Sequence, residues 1–361
     1  MSGQETATAV KYNAFRTIQK DIYVAAGGSG DYPYATPATA AATIQTALDA
    51  ADTGCVVNVL PGTYPQSMPL VLDKAVTLVS TTTNASDVIL RNTSSNQRIV
   101  EVSHEGAELA GVTLTNGRGA PEGAALTLMA GLVRDCAVTN NDIGGGKGVS
   151  SGTVWMSGGR LMRCRIVANS GGTGWNADCG GGVNASGGVI DTCLVATNRV
   201  NYYGDGYTTA LGIKLTGSAK AVNCTIADNV CVNPGSSVRP MATYAGSNAR
   251  FVNCLIWGNA TTPGDEPKNV WHGTAASYTN CYSELTINGT SPAIADPGFT
   301  DVAEMDYSLT KKSPLINKGV DYAAAGGISE FDLGGKPRRI GSKVDIGCYE
   351  SPNRHLVIVV R

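Results

Sequence analysis

Charge, aromatic rings and helical patterning are all scarce in this chain. Only 16% of its 361 residues are charged and 6% are aromatic, which suits thin stacked layers rather than one thick core. The formal net charge is −2, so nothing favours nucleic acid or an anionic membrane surface as a partner. No apolar run approaches the roughly 18 residues that span a bilayer; the closing 356–360 is a strand's worth. The three histidines, His104, His272 and His355, lie far apart and no CxxC occurs, which excludes the usual zinc sites. Residues 1–10 are polar and small, so no export leader is legible there. Between residues 123 and 281 there is no amphipathic run at helical spacing, which excludes a helical solenoid.

What is plentiful is glycine, with 45 residues, and a cysteine that keeps returning. Cys136, Cys164, Cys193, Cys224, Cys254 and Cys281 follow one another at separations of 28, 29, 31, 30 and 27 residues. Three positions before each stands Val133, Leu161, Ile190, Ala221, Phe251 or Tyr278. Two positions after the first five stands Val138, Ile166, Val195, Ile226 or Ile256. Five positions after them comes Asn141, Asn169, Asn198, Asn229 or Asn259. Alternation through the cysteine reads as a strand, and a unit that buries its apolar face only against copies of itself is a solenoid. The spacing predicts an all-β, right-handed parallel β-helix, with the asparagines stacked as an amide ladder at turns that accept left-handed backbone. The cysteines read as reduced, inward-facing thiols, because parallel in-register side chains rarely reach disulfide geometry. Cys179 and Cys231 lie off the repeat.

In chain order, residues 1–20 form a lead, 21–64 an N-terminal cap with the first strand, 65–288 the coils and 289–361 a C-terminal cap. Within the N-terminal cap, residues 39–51 read as an amphipathic helix, started by Thr39, that plugs the open end of the solenoid. Strands are expected at 75–79, 88–90, 99–102 and 109–114. Loops of varying length interrupt the coils at one corner, at 141–151, 170–180, 199–209, 230–240 and 260–268, and such a corner is where repeat proteins usually bind.

Two stretches carry a resemblance. Asp21-Ile22-Tyr23-Val24, Ala35-Thr36, Thr43-Ile44-Gln45 and Val59-Leu60-Pro61-Gly62-Thr63-Tyr64 resemble the opening of secreted β-helix proteins of the pectin-lyase-like superfamily. Asp296-Pro297-Gly298-Phe299, Ser313-Pro314-Leu315-Ile316 and Asp345-Ile346-Gly347 resemble the C-terminal part of its choice-of-anchor Q branch, with Cys348 where alanine is expected. The resemblance spans residues 21–350 and implies an exported or cell-surface protein of bacterial type. It brings no catalytic constellation, because the matching motifs are turns and caps.

Counting back from each cysteine to the strand after each loop gives one outward column: Thr127, Trp155, Asn184, Lys214, Tyr244 and Trp271, with His272 turned inward. Rings flanking an amide and an amine suit a glycan, whose apolar faces stack and whose hydroxyls need polar tips. The loops add Trp175, Asn176, Asp178, Tyr202, Tyr203, Asp205, Tyr207, Arg239, Asp265, Glu266 and Lys268. Members of the superfamily that cleave acidic polysaccharides mostly do so by β-elimination, which must neutralise a uronate carboxylate, often with Ca²⁺, and needs a base for the α proton. Lys214 fits that base, Tyr203 or Tyr207 a proton donor, and Asp178 with Asp205 a metal or acid pair. The same two aspartates would serve a glycoside hydrolase. The alternative is a non-catalytic adhesin, stalk or filament subunit whose rings pack under the loops.

Three further groups have bland readings. Gly144-Gly145-Gly146-Lys147-Gly148 lacks the Ser or Thr of a phosphate loop and reads as a corner. Asp332, Arg338, Arg339, Asp345 and Glu350 read as the ion-pair network of the C-terminal cap, and Arg160, Arg163 and Arg165 as a solvated face.

Overall fold

The computed structural model describes residues 20–119, 122–143, 150–173, 178–202, 210–232, 241–260, 271–287, 293–321 and 329–351. The chain is an all-β parallel solenoid of three long sheets. The first sheet has ten strands, from Asp21–Val24 to Tyr278–Thr279; the second has nine, from Gly62–Gln66 to Tyr282–Ser283; the third has eight, from Leu70–Leu72 to Trp271–His272. Each strand pairs in parallel with its counterpart one coil away, as Val133 does with Leu161 and Val138 with Ile166. Inward Val, Ile, Leu and Cys side chains from all three sheets form one continuous core.

The repeat is built on left-handed corners. The cysteine lies between strands, one residue after a corner at Asp135, Arg163, Thr192, Asn223, Asn253 or Asn280, whose φ values run from 47° to 56°. Strand alternation therefore breaks at the cysteine, contrary to the sequence reading. The recurrence of cysteine has a polar reason as well as an apolar one. Each of Cys164, Cys193, Cys224 and Cys254 donates from Sγ to the carbonyl two residues back at 3.3 Å, the second hydrogen bond of an oxygen that also accepts the corner N–H of the coil before, as Met162 O does from Asp135 N. All six repeat cysteines are buried and unbridged, and burial pushes the Cys164, Cys224 and Cys254 thiols well up.

The asparagine ladder is present. Nδ2 of Asn141, Asn169, Asn198 and Asn229 donates to Oδ1 of the next asparagine at 2.8–2.9 Å. That same oxygen accepts the backbone N–H of the earlier residue at 3.1 Å. The left-handed residue is the one before each ladder asparagine, namely Asn140, Ala168, Thr197, Asp228 or Gly258. The side chain thus serves as a buried connector rather than a turn former.

At the N-terminal end the helix is Ile44–Ala50, capped by Thr43, whose hydroxyl accepts from Thr46 N at 3.1 Å. It is shorter than the sequence suggests because Ala41 is used in a parallel bridge with Val24. Residues 109–114 likewise divide into Glu108–Ala110 and Thr113–Thr115 around the left-handed Gly111. No helix among the described residues is long and apolar enough to cross a membrane.

The C-terminal region lies along the flank of the coils. Residues 293–321 and 329–351 form a strap whose Tyr307, Cys348 and Tyr349 pack on Leu194, Ala196 and Ala227, outward residues of the second sheet. Leu309, Leu315 and Ile346 pack likewise on Leu255. Cys348 N donates to Thr225 Oγ1 at 3.1 Å, and Tyr307 OH to Asp228 Oδ2 at 2.7 Å. Inside the strap Asp332, Arg338, Asp345 and Glu350 are buried together, with Arg338 Nη1 3.5 Å from Glu350 Oε1. Arg339 pairs with Asp321 at the surface instead.

Candidate functional site

The register of the third sheet defines its outward column directly. Thr127 pairs with Trp155, Trp155 with Asn184, Asn184 with Lys214, Lys214 with Tyr244 and Tyr244 with His272. Five of the six residues read from the sequence therefore stand in one row. The sixth does not: Trp271 pairs with Thr243 and packs against the core, its ring 5.9 Å from that of Tyr278 at an edge-to-face angle of 64°. His272 takes its place, facing outward and exposed. Two coils, those of Lys214 and Tyr244, have one extra residue before the next strand of the first sheet. Carrying that longer count into the last coil moves the reading by one position, which exchanges the faces of a strand.

The row is an interlocked stack. The Tyr244 ring lies on the His272 imidazole at 4.5 Å, the planes 2° apart, and Lys214 Nζ sits 5.2 Å from the Tyr244 centroid. An amine over a ring face is held there as a cation by the ring quadrupole. At the other end Thr127 also pairs with Glu101, and Arg98 Nη1 donates to Thr127 Oγ1 at 2.5 Å and lies 3.4 Å from Glu101 Oε2. Glu101 and Arg98 escaped the sequence reading, and His272 was read as turned inward. For His272 the available signal was the nine-residue distance to the cysteine that Thr127, Trp155 and Asn184 share; nothing in the sequence marked Arg98.

The centre of the row is closed to solvent. Lys214 is 2% exposed and Asn184 4%, while Trp155 and Tyr244 are partly buried. Desolvation pushes the Lys214 amine down to about 8, because the charged form loses water that the protein does not replace in full. The expected open groove is thus closed at its middle.

A short three-stranded sheet flanks this row, made by Ser170–Thr173, Arg199–Tyr202 and Val230–Val232. It forms where each loop leaves the asparagine ladder, and Val200 and Cys231 pack there with Ile143 and Leu211 in a small core of their own. Tyr202 ends one of these strands, paired with Thr173. Asp178 opens the strand Asp178–Ala185, paired with Ser150. Trp175, Asn176, Tyr203, Asp205, Tyr207, Arg239, Asp265, Glu266 and Lys268 lie outside the described residues, as does the 144–148 corner. The Asp178–Asp205 pair is therefore not brought together by anything described. Among the described residues no three His, Cys, Asp or Glu side chains are grouped to hold a metal.

The arginines expected as a solvated face are all engaged. Arg163 donates to both Asp135 oxygens at 2.7 and 2.8 Å, Arg160 to the buried Asp191 at 2.6 Å, and Arg165 lies 5.8 Å over the Tyr349 ring.

Among solved structures, the chain is similar to pectate lyase Pel9A, at 13% identity over 92% of this chain and 97% of that one, with a TM-score of 0.42. It is also similar to the pectin methylesterase from Aspergillus niger in penultimately deglycosylated form, at 15% identity over 76% and 94% of the two chains, with a TM-score of 0.34. Its deglycosylated form gives 15%, 72%, 91% and 0.33. No family model and no curated protein matches the chain. At these identities and TM-scores the likeness carries no argument about the site.

Proposed function

We propose that the protein is an exported, cell-surface β-helix of the choice-of-anchor Q type that binds a uronate-containing polysaccharide along the outward row of the third sheet. The observation that carries this reading is the register that lines up Trp155, Asn184, Lys214 and Tyr244 in four successive coils. Rings at either side supply apolar faces, and an amide and an amine between them supply polar tips. As a cation, Lys214 would pair with a uronate carboxylate.

As a neutral amine, Lys214 would take the proton α to that carboxylate. The C–H electrons then form a carbon–carbon double bond while the C–O bond at the β position breaks. The departing sugar oxygen takes a proton from a loop tyrosine, Tyr203 or Tyr207. An amine lowered to about 8 gains its neutral form as pH rises through that value, so cleavage should accelerate there.

The burial of Lys214 and Asn184 favours a second reading, a non-catalytic adhesin, stalk or filament subunit in which the row is a structural rib. Incubation with polygalacturonate separates the two. The lyase reading expects ultraviolet absorbance from an unsaturated product, abolished by Lys214→Ala, and binding weakened about tenfold by Trp155→Ala. Binding that survives without cleavage restricts the row to recognition. No binding to any uronate polysaccharide leaves the rib.

A further inference from the structure

A second concavity lies on the corner between the first and second sheets, away from the third-sheet row. Its volume is about 970 Å³, within the range of small-ligand pockets. The floor is made of small corner residues, Ala110, Gly111 and Ala137. One wall is the turn after the strand Thr77–Ser80, where Thr81, Thr83 and Ser86 are exposed. The other wall is the strap, which presents Phe331 and Leu333. Phe331 is 45% exposed, a large ring left at the rim of a cleft.

Both walls are held in place. Ser80 Oγ lies 3.1 Å from Thr82 Oγ1, and Thr113 Oγ1 donates to Ala85 O at 2.8 Å, which pins the turn to the coil. Arg163 spans the floor and the strap: its Nε and Nη2 donate to Asp135, and its Nη1 donates to Ser329 Oγ at 2.8 Å. Ser329 Oγ in turn donates to Phe331 O at 2.8 Å. A ligand would meet a surface already ordered, which lowers the cost of binding.

The charges of the cleft are matched within the protein. Arg134 donates to Glu108 at 2.6 Å and to Asp135 at 2.9 Å, and Arg165 lies over Tyr349. Asp332 accepts from Lys336 N at 2.7 Å and from Glu350 N at 2.8 Å. An ionic ligand gains little from groups so paired. What the cleft offers is a row of hydroxyls opposite an apolar ring, which is the complement of a neutral sugar.

We propose that this cleft is a second saccharide site, taking a short neutral oligosaccharide with one sugar face on Phe331 and its hydroxyls on the 81–86 turn. The test is equilibrium binding of cellotriose, maltotriose and xylotriose to the full chain carrying Trp155→Ala, which weakens the other row. Saturable binding of one of them is expected, weakened at least tenfold by Phe331→Ala, kept by Phe331→Trp and weakened several-fold by Thr83→Val. The site is overturned by three results: no binding of any of the three, binding that Phe331→Ala leaves intact, or binding that disappears with Trp155→Ala alone. Trigalacturonate bound as tightly in the same variant overturns the neutral assignment. Should Phe331→Ala fail to fold, Thr83→Val decides, since an exposed hydroxyl is removed without disturbing the strap. Failure here leaves the uronate reading of the third sheet untouched, because that reading is scored by Trp155 and Lys214.

Discussion

The second and third sheets run side by side over the same coils and share one core, and their outer faces differ completely. On the second sheet the outward residues are Leu194, Ala196, Ala227 and Leu255, and the strap covers them. On the third they are Trp155, Asn184, Lys214, Tyr244 and His272, and no described strap residue pairs with their row. In a solenoid, inward positions differ little from coil to coil, so identity resides in the outward ones. An apolar outward face requires a cover, whereas a face of rings and polar tips is suited to a ligand.

The largest effect expected from breaking this contrast comes from Leu194→Asp, which puts a charge under the strap. It should cost about 4 kcal/mol in denaturant-induced unfolding, whereas Tyr244→Ala on the other sheet should cost about 1. Equal costs would show that the strap does not distinguish the faces. Next comes Asn198→Ala, which serves both faces because it joins coils. It strips the acceptor from Asn169 and a donor from Asn229 and Ile166, and should cost about 3 kcal/mol. Trp155→Ala should leave unfolding within about 1 kcal/mol of the parent while weakening polysaccharide binding about tenfold, or about 1.4 kcal/mol.

The smallest effects are in pH, and the two faces should differ in sign. Glu284, beside Gly258 N at 3.1 Å on the second-sheet side, is pushed up to about 7 by burial. Its contribution is complete below the ordinary 4.5 and is lost as pH rises to about 7, and Glu284→Gln should flatten that fall in thermal-unfolding midpoint. Lys214 is pushed down to about 8 from 10.5, so the penalty of its buried charge is full below 8 and fades as pH rises to 10.5. Stability should rise across that window, and Lys214→Met should remove the rise.

Much of the coil was legible because its constraints are local. The return of Cys136 through Cys281 and of the asparagines five positions later records two corners per coil, each needing a left-handed residue and a small buried partner. The corners themselves were misplaced, since positive φ is also carried by Arg163, Ala168 and Thr192, residue types that announce no left-handed turn. Trp271 was misread because the corner after Lys214 and Tyr244 is one residue longer than the corner after His272. The covering of the second sheet was readable in principle from outward Leu194 and Leu255. The position of the strap was not, since Cys348 reaches Thr225 across 123 residues of sequence.

By itself the sequence determined the coil, its thiol and amide ladders and the row from Thr127 to Tyr244, because spacing along the chain becomes register across parallel strands. Only the tertiary structure decided which outward residues meet the strap, that His272 and not Trp271 completes the row, and that Lys214 is enclosed. Those outcomes depend on one-residue shifts that reverse a strand's faces and on contacts between distant segments, neither of which a local pattern records.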